Sequence, residues 1–269
     1  MKKTITKSRV LGSLVLACMA LIASQAVATT VHYADGDLFL GFRSTDGTND
    51  YLVDIGQPNQ FNNAPPGGTI TITNASPIDL SNVFGNDWYS RIDPNTGTTA
   101  VEWAVVGGRL VAAGGDVANT LYSSNPNPTA WPRRSNSSQS GTTSLTDALG
   151  TTYDGNDSTN NSDTAIVQAD ASTNSYRSFQ PGGPNSGGIS FQTWNPTNEG
   201  GPGLTLTLDR IVPSSTGGSS QNLGTLQLMI NGNVLFTAVP EPSSLASISL
   251  GAGLLVAFLA WRGRPSDQA

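Results

Sequence analysis

The chain has 269 residues, a net charge of −6 and only 12% charged residues, so its sparse, acidic surface repels phosphates and excludes electrostatically driven nucleic-acid binding. Its 30 glycines and 16 prolines, amid abundant Ser, Thr and Asn, favour a loop-rich β protein over a helical one. A single cysteine, Cys18, excludes an internal disulfide framework.

In chain order, Lys2, Lys3, Lys7 and Arg9 precede an apolar run from Val10 to about Ala23, which ends in Ala26-Val27-Ala28. The basic end stays in the cytoplasm and the apolar helix enters the translocon. The small Ala26 and Ala28 fit the −3 and −1 pockets of a signal peptidase, which predicts a signal peptide over 1–28 cut after Ala28. Val15-Leu16-Ala17-Cys18 offers a rival lipobox reading with Cys18 acylated, but the apolar run continues past it to the Ala-x-Ala site. All three lysines fall within this leader. Of the 13 basic residues, Lys2, Lys3, Lys7, Arg9, Arg262 and Arg264 lie in the two ends, and of the 19 acidic residues Glu241 and Asp267 do. The region between therefore holds seven arginines against 17 carboxylates, a net of −10. Such a surface keeps an exported protein soluble and draws divalent cations.

Residues 29–239 are long enough for one domain with a real core. Asp37–Arg43 and Tyr51–Gly56 read as strands of a hairpin across the turn-rich 44–50. Gly68–Thr73 alternates as a half-buried strand, and Ile78–Phe84 reads as a helical turn begun by Pro77. Strands follow at Val101–Val106, Arg109–Ala112 and Asn119–Tyr122. Asn125–Asn161, poor in apolar residues, reads as a long surface loop, and Ser162–Phe179 as one amphipathic helix. After a Gly/Pro loop at 181–188, Leu204, Leu206 and Leu208 alternate with threonines as a strand. Gly224–Ile230 and Asn233–Ala238 flank Asn231-Gly232, which predicts a type I′ hairpin. Together these elements predict an all-β fold, an antiparallel β-sandwich with long loops.

Few residues in this domain suggest chemistry. His32 is the sole histidine and lies near the expected mature N-terminus, with no Gly-x-Ser-x-Gly elbow to pair with it. Glu102 and Glu199 are the only glutamates of the domain, the minimum for a glycosidase pair, although Glu102 sits in a strand where an outward charge is the ordinary explanation. Asp154-Gly155-Asn156-Asp157, with Asn160, Asn161 and Asp163, gathers the oxygen ligands calcium prefers without EF-hand spacing, so a solvated loop is expected instead. Trp88, Tyr89, Trp103, Trp131 and Trp194 offer faces for sugar stacking, against the commoner use of such rings as core. The expectation is a protein that is no enzyme and carries no cofactor or metal.

The last segment is the most specific. Val239-Pro240-Glu241-Pro242-Ser243-Ser244 leads into an uncharged run at 245–261, which ends at Arg262 and Arg264. That run is long enough to span a bilayer as a helix, with the arginines held in the cytoplasm and residues 29–239 outside. Pro240 and Pro242 disfavour helix before them and keep the tripeptide extended, as a protease substrate requires. Pro-Glu-Pro, a short apolar helix and terminal arginines resemble the PEP-CTERM sorting signal. The opening Gly36-Asp37-Leu38-Phe39-Leu40-Gly41-Phe42-Arg43, followed by Tyr51-Leu52-Val53 and Gly56, is similar to the start of many proteins of that family. The resemblance implies export through the Sec translocon, transient anchoring in the inner membrane by residues 245–261, and processing near Pro240, Glu241 and Pro242 by an exosortase. It also implies an exopolysaccharide-producing Gram-negative host and a final place on the cell surface or outside the cell. The expected role is a structural or interaction protein of the envelope or matrix, with a carbohydrate-binding module or adhesin as the alternative and a secreted hydrolase behind both.

Overall fold

The computed structural model describes residues 25–26, 32–73, 77–127, 129–156, 165–169, 172–180 and 198–239. Ten strands form one continuous sheet: β1 (Gln25–Ala26), β2 (Leu38–Ser44), β3 (Asn49–Gly56), β4 (Thr69–Ile72), β5 (Val101–Arg109), β6 (Thr120–Asn125), β7 (Ala165–Ala169), β8 (Thr205–Ile211), β9 (Gln221–Leu228) and β10 (Val234–Ala238). Their order across the sheet is β1-β4-β10-β9-β8-β6-β5-β2-β3-β7. Every pair is antiparallel except β1 with β4. The antiparallel all-β class is as expected. The two separate sheets of a sandwich are not: the strands bond in one uninterrupted series and curl into a half-barrel.

Side-chain alternation explains the curl. Leu38, Leu40 and Phe42 of β2, Val101, Trp103 and Val105 of β5, Leu206 and Leu208 of β8, Leu226 and Leu228 of β9, and Ile70 and Ile72 of β4 point to the inner face and meet in one core. Phe61 of helix α1 (Asn59–Asn62), Leu80 and Phe84 of α2 (Pro77–Phe84), and Trp88 join the same core. The half-barrel is thus filled by its own strands and two short helices.

The outer face is covered by α3 (Asn136–Asn156), which replaces part of the expected 125–161 loop. Its inward positions are Gln139, Thr142, Thr143, Thr146, Leu149 and Tyr153, a helical spacing in which most members are polar. The hydroxyls are satisfied locally: Thr143 Oγ1 donates to Gln139 O at 2.9 Å and Thr146 Oγ1 to Thr143 O at 2.8 Å. Gln139 Nε2 donates to Asn119 O at 2.8 Å and Ile211 O at 2.9 Å, which ties the helix to the sheet below. At Gly108 in β5 a Cβ would lie 2.4 Å from Thr146 Oγ1, so the glycine lets the helix come this close.

Three further expectations change. The 162–179 helix is instead edge strand β7 and a 3₁₀ turn at Tyr176–Phe179. Arg109–Ala112 is no separate strand, because β5 runs on through Gly107 and Gly108 to Arg109. The β9–β10 hairpin forms, but only Gly232 of its turn pair has positive φ, at 83°, which excludes a type I′ turn. Gly232 N donates to Met229 O and Met229 N to Asn233 O, so the loop is longer than two residues. Among the described residues no helix is long and apolar enough to cross a membrane, and 245–261 lies outside them.

Candidate functional site

The sheet carries a buried polar row on its outer face. Arg43 of β2 sits opposite Glu102 of β5 on one side and Asp50 of β3 on the other, and Asp50 sits opposite Gln168 of β7. Paired residues share a face, so four neighbouring strands present four polar side chains in line. Glu199, 156 residues from Arg43 in sequence, closes over the row. Its segment is held by the bridge between Gly200 and Trp103, whose backbones exchange two hydrogen bonds of 3.0 Å.

Arg43 is the centre of this cluster. Its Nε donates to both Glu199 oxygens at 2.9 Å, and its Nη2 donates to Glu199 Oε2 at 2.7 Å and also to Glu102. Tyr176 Oη donates to Glu199 Oε1 at 2.8 Å. The Glu199 side chain is 1% exposed and that of Glu102 28%. Burial, and then the charge of Glu199 beside it, raises the Glu102 carboxyl above the usual range. Burial alone would lower the Arg43 guanidinium, but Glu199 and Glu102 outweigh it and keep the group charged. Burial and Glu199 likewise push the Tyr176 hydroxyl well up, which keeps it a donor.

Gly41 shapes the same site. A Cβ there would lie 2.3 Å from the Tyr176 ring, so the bare backbone lets the ring rest on β2 and aim its hydroxyl at Glu199. Asp50 Oδ2 accepts from Arg177 N at 2.6 Å and fixes the 3₁₀ turn that carries Tyr176. Within the opening motif, then, Gly41 and Arg43 build this cluster, while Asp37 accepts from Ala34 N at 2.6 Å and from Gln57 Nε2 at 2.6 Å at the other end of β2.

The structure brings together the two glutamates singled out in the sequence. Both bind one guanidinium. The cluster fastens the 198–201 segment and the 3₁₀ turn to the sheet. Sequence reading missed Arg43 and Tyr176; the available clue was a charge and a glycine inside an otherwise apolar strand.

Other sequence candidates fall elsewhere. His32 is exposed. Trp88, Trp103 and Trp131 are buried, which fits packing and not sugar stacking, while Trp194 lies outside the described residues. Asp154 belongs to the last turn of α3, where its Oδ1 accepts from Tyr33 N at 2.7 Å, and 157–163 lie outside the described residues. No group of three or more His, Cys, Asp or Glu placed to hold a metal occurs among the described residues. Ala26 is in β1, whereas Ala28, Pro240, Glu241, Pro242, Arg262 and Arg264 lie outside the described residues.

A second buried carboxyl has a measurable consequence. Asp209 of β8 is 2% exposed, with Asn125 Nδ2 at 3.4 Å, and burial raises its pKa to about 6 against the help of Asn125 and Ser220. The folded state therefore holds the proton more tightly than the unfolded state, and stability falls as pH rises from about 4 through about 6. Asp209→Asn is expected to stabilise the domain at pH 7 by about 1–2 kcal/mol, a Tm rise of about 2–6 °C, with the gain vanishing below about pH 4. Thermal melts at both pH values check this.

No protein-family model, curated protein or solved structure matches this chain.

Proposed function

We propose that the chain is an exported envelope or extracellular-matrix protein of structural or interaction type, in which residues 29–239 act outside the cell and residues 240–269 serve as a sorting tail. In this reading residues 1–28 direct the chain to the Sec translocon, the helix 245–261 holds it in the inner membrane, and an exosortase cuts near Pro240-Glu241-Pro242. The observation that carries it is where the last strand ends. Ala238 is the last residue of β10, Val239 N donates to Leu223 O at 3.1 Å, and the sorting tripeptide begins at the next residue. A cut beyond Val239 leaves every described strand whole.

The cluster around Arg43 supports a structural role. It joins β2, β5, the 3₁₀ turn and the 198–201 segment through groups that are satisfied by one another, which suits a domain that must persist outside the cell without disulfides. A reporter enzyme that matures only outside the cytoplasm, fused after Val239, tests export. Activity that depends on residues 1–28 is expected, and an inactive cytoplasmic fusion would overturn the reading.

A further inference from the structure

The outer face of β4, β10, β9 and β8 carries an array that the cluster around Arg43 does not use. Ile70 and Ile72, Phe236, Leu226 and Leu228, and Leu206 and Leu208 point into the core, so alternation turns the residues between them outward. The registers line those residues up in two rows. Thr69, Thr237, Thr225 and Thr207 lie opposite one another across the four strands, and Thr71, Leu235, Gln227 and Thr205 form the next row. All eight are at least partly exposed and none is charged. The elements that cover the outer face elsewhere pack on other strands, α3 on β5 and β6 and the 3₁₀ turn on β2 and β3.

The hydroxyls of this array are largely unused. Thr207 Oγ1 donates to Asn125 O at 3.3 Å, whereas the hydroxyls of the other five threonines bond no group among the described residues. Exposed hydroxyls on α3 behave differently: Ser144 Oγ donates to Ser140 O at 2.9 Å and Thr151 Oγ1 to Asp147 O at 3.0 Å. Threonine suits any sheet surface, but here four stand in one cross-strand row, without a charge, in an acidic domain. Each free hydroxyl can both donate and accept, with a methyl group beside it. Neighbours in a row are separated by the strand spacing, about 4.8 Å, and an extended β-linked sugar chain advances by a similar length per ring.

Resting on the interaction role proposed above, we infer that this face binds an extended, neutral, β-linked polysaccharide laid across the strands. Ring hydroxyls exchange hydrogen bonds with the threonine hydroxyls and the Gln227 amide, while the threonine methyls and Leu235 pack against ring C–H groups. Charge selects the neutral chain. Residues 29–239 hold seven arginines against 17 carboxylates, so an acidic glycan is repelled by the domain and an uncharged one is not. Each contact is weak, and affinity comes from a row of them on one chain.

The test is affinity electrophoresis of the purified full chain, in non-ionic detergent, through native gels containing hydroxyethyl cellulose or carboxymethyl cellulose, which share a backbone and differ in charge. Wild type is expected to be retarded by hydroxyethyl cellulose and less by carboxymethyl cellulose. Thr69→Val, Thr225→Val and Thr237→Val together keep the β-branched shape and remove three free hydroxyls, and are expected to weaken binding about tenfold. Ser144→Ala with Thr151→Val, which removes hydroxyls already bonded within α3, is expected to leave it unchanged. A wild type that hydroxyethyl cellulose does not retard would overturn the inference before any variant is made. So would a triple variant retarded as much as wild type, or stronger retardation by carboxymethyl cellulose. A wild-type dimer in sedimentation that the triple variant loses, without retardation in either gel, would assign the face to a second copy of the chain and overturn it too. None of these outcomes touches the export reading, which the leader-dependent fusion tests.

Discussion

Replacing Arg43 with methionine is expected to destabilise the domain by about 3–5 kcal/mol at neutral pH, the cost of leaving a buried carboxylate without its cation. Arg43 makes three contacts of 2.7–2.9 Å with Glu199, whose side chain is 1% exposed, and also binds Glu102. Methionine keeps much of the apolar stem and removes the charge, so lost packing contributes little. Glu102 is already raised by burial and by Glu199, and loss of Arg43 removes a group that lowers it. In the variant Glu102 would be harder still to ionise folded than unfolded. The deficit should therefore be greatest at neutral pH and shrink as pH falls through the carboxylate range to about 4. Urea denaturation at pH 7 and at about pH 4.5 checks both the size and the trend. Adding Glu102→Gln and Glu199→Gln to the variant should return part of the loss, because the charges that Arg43 balanced are then gone. A deficit below about 1 kcal/mol, or one independent of pH, would show that the pairs are worth no more than exposed ones.

The second large effect belongs to Gly41. Alanine there places a Cβ 2.3 Å from the Tyr176 ring, and that ring is fully buried, with its hydroxyl tied to Glu199. The ring cannot swing away without giving up that bond, so Gly41→Ala is expected to cost about 1–3 kcal/mol by overpacking. Tyr176→Ala alone should cost about 3–5 kcal/mol through the cavity it leaves. The informative measurement is the double-mutant cycle. In the Tyr176→Ala background the clash is gone and Gly41→Ala should be nearly free, giving a coupling of about 1–2 kcal/mol, whereas additive losses would mean that the glycine matters for the strand and not for the ring.

Much of the sheet was legible because its strands alternate. Ile70 and Ile72 turn inward while Thr69 and Thr71 remain partly exposed, and Leu206 and Leu208 are fully buried between less buried neighbours. The first and last hairpins follow from local turns. Helix α3 was not legible, because its buried face is built from Gln139, Thr142, Thr143 and Thr146, and the Gln139 amide finds its partners, Asn119 O and Ile211 O, only once the helix lies on the sheet. Residues that look too polar to be buried carry no periodic apolar signal. β7 was hidden for a related reason: it pairs with β3 across more than a hundred residues, and only Ile166 and Gln168 of its five residues are buried. The choice between sandwich and continuous sheet depends on which strands become neighbours, and alternation is the same in both.

The candidate cluster divides in the same way. Glu102 and Glu199 stand out as the domain's only glutamates, but nothing local ties Arg43 to a residue 156 positions away or reveals that a tyrosine ring rests on Gly41. The proposed sorting tail is the opposite case: the resemblance lies in local order, Pro-Glu-Pro, an apolar run and two arginines, and is read from sequence alone.

The most direct measurement is the intact mass of the protein recovered from its host's envelope and medium, beside a variant with Pro240, Glu241 and Pro242 changed to alanine. The sorting reading predicts a wild-type mass lacking residues 1–28 and the tail beyond the cut near Pro240, with the variant keeping its tail and staying in the membrane. A wild-type mass that retains residues 240–269 would make the tail a plain anchor and contradict the proposal that this chain is a sorting substrate.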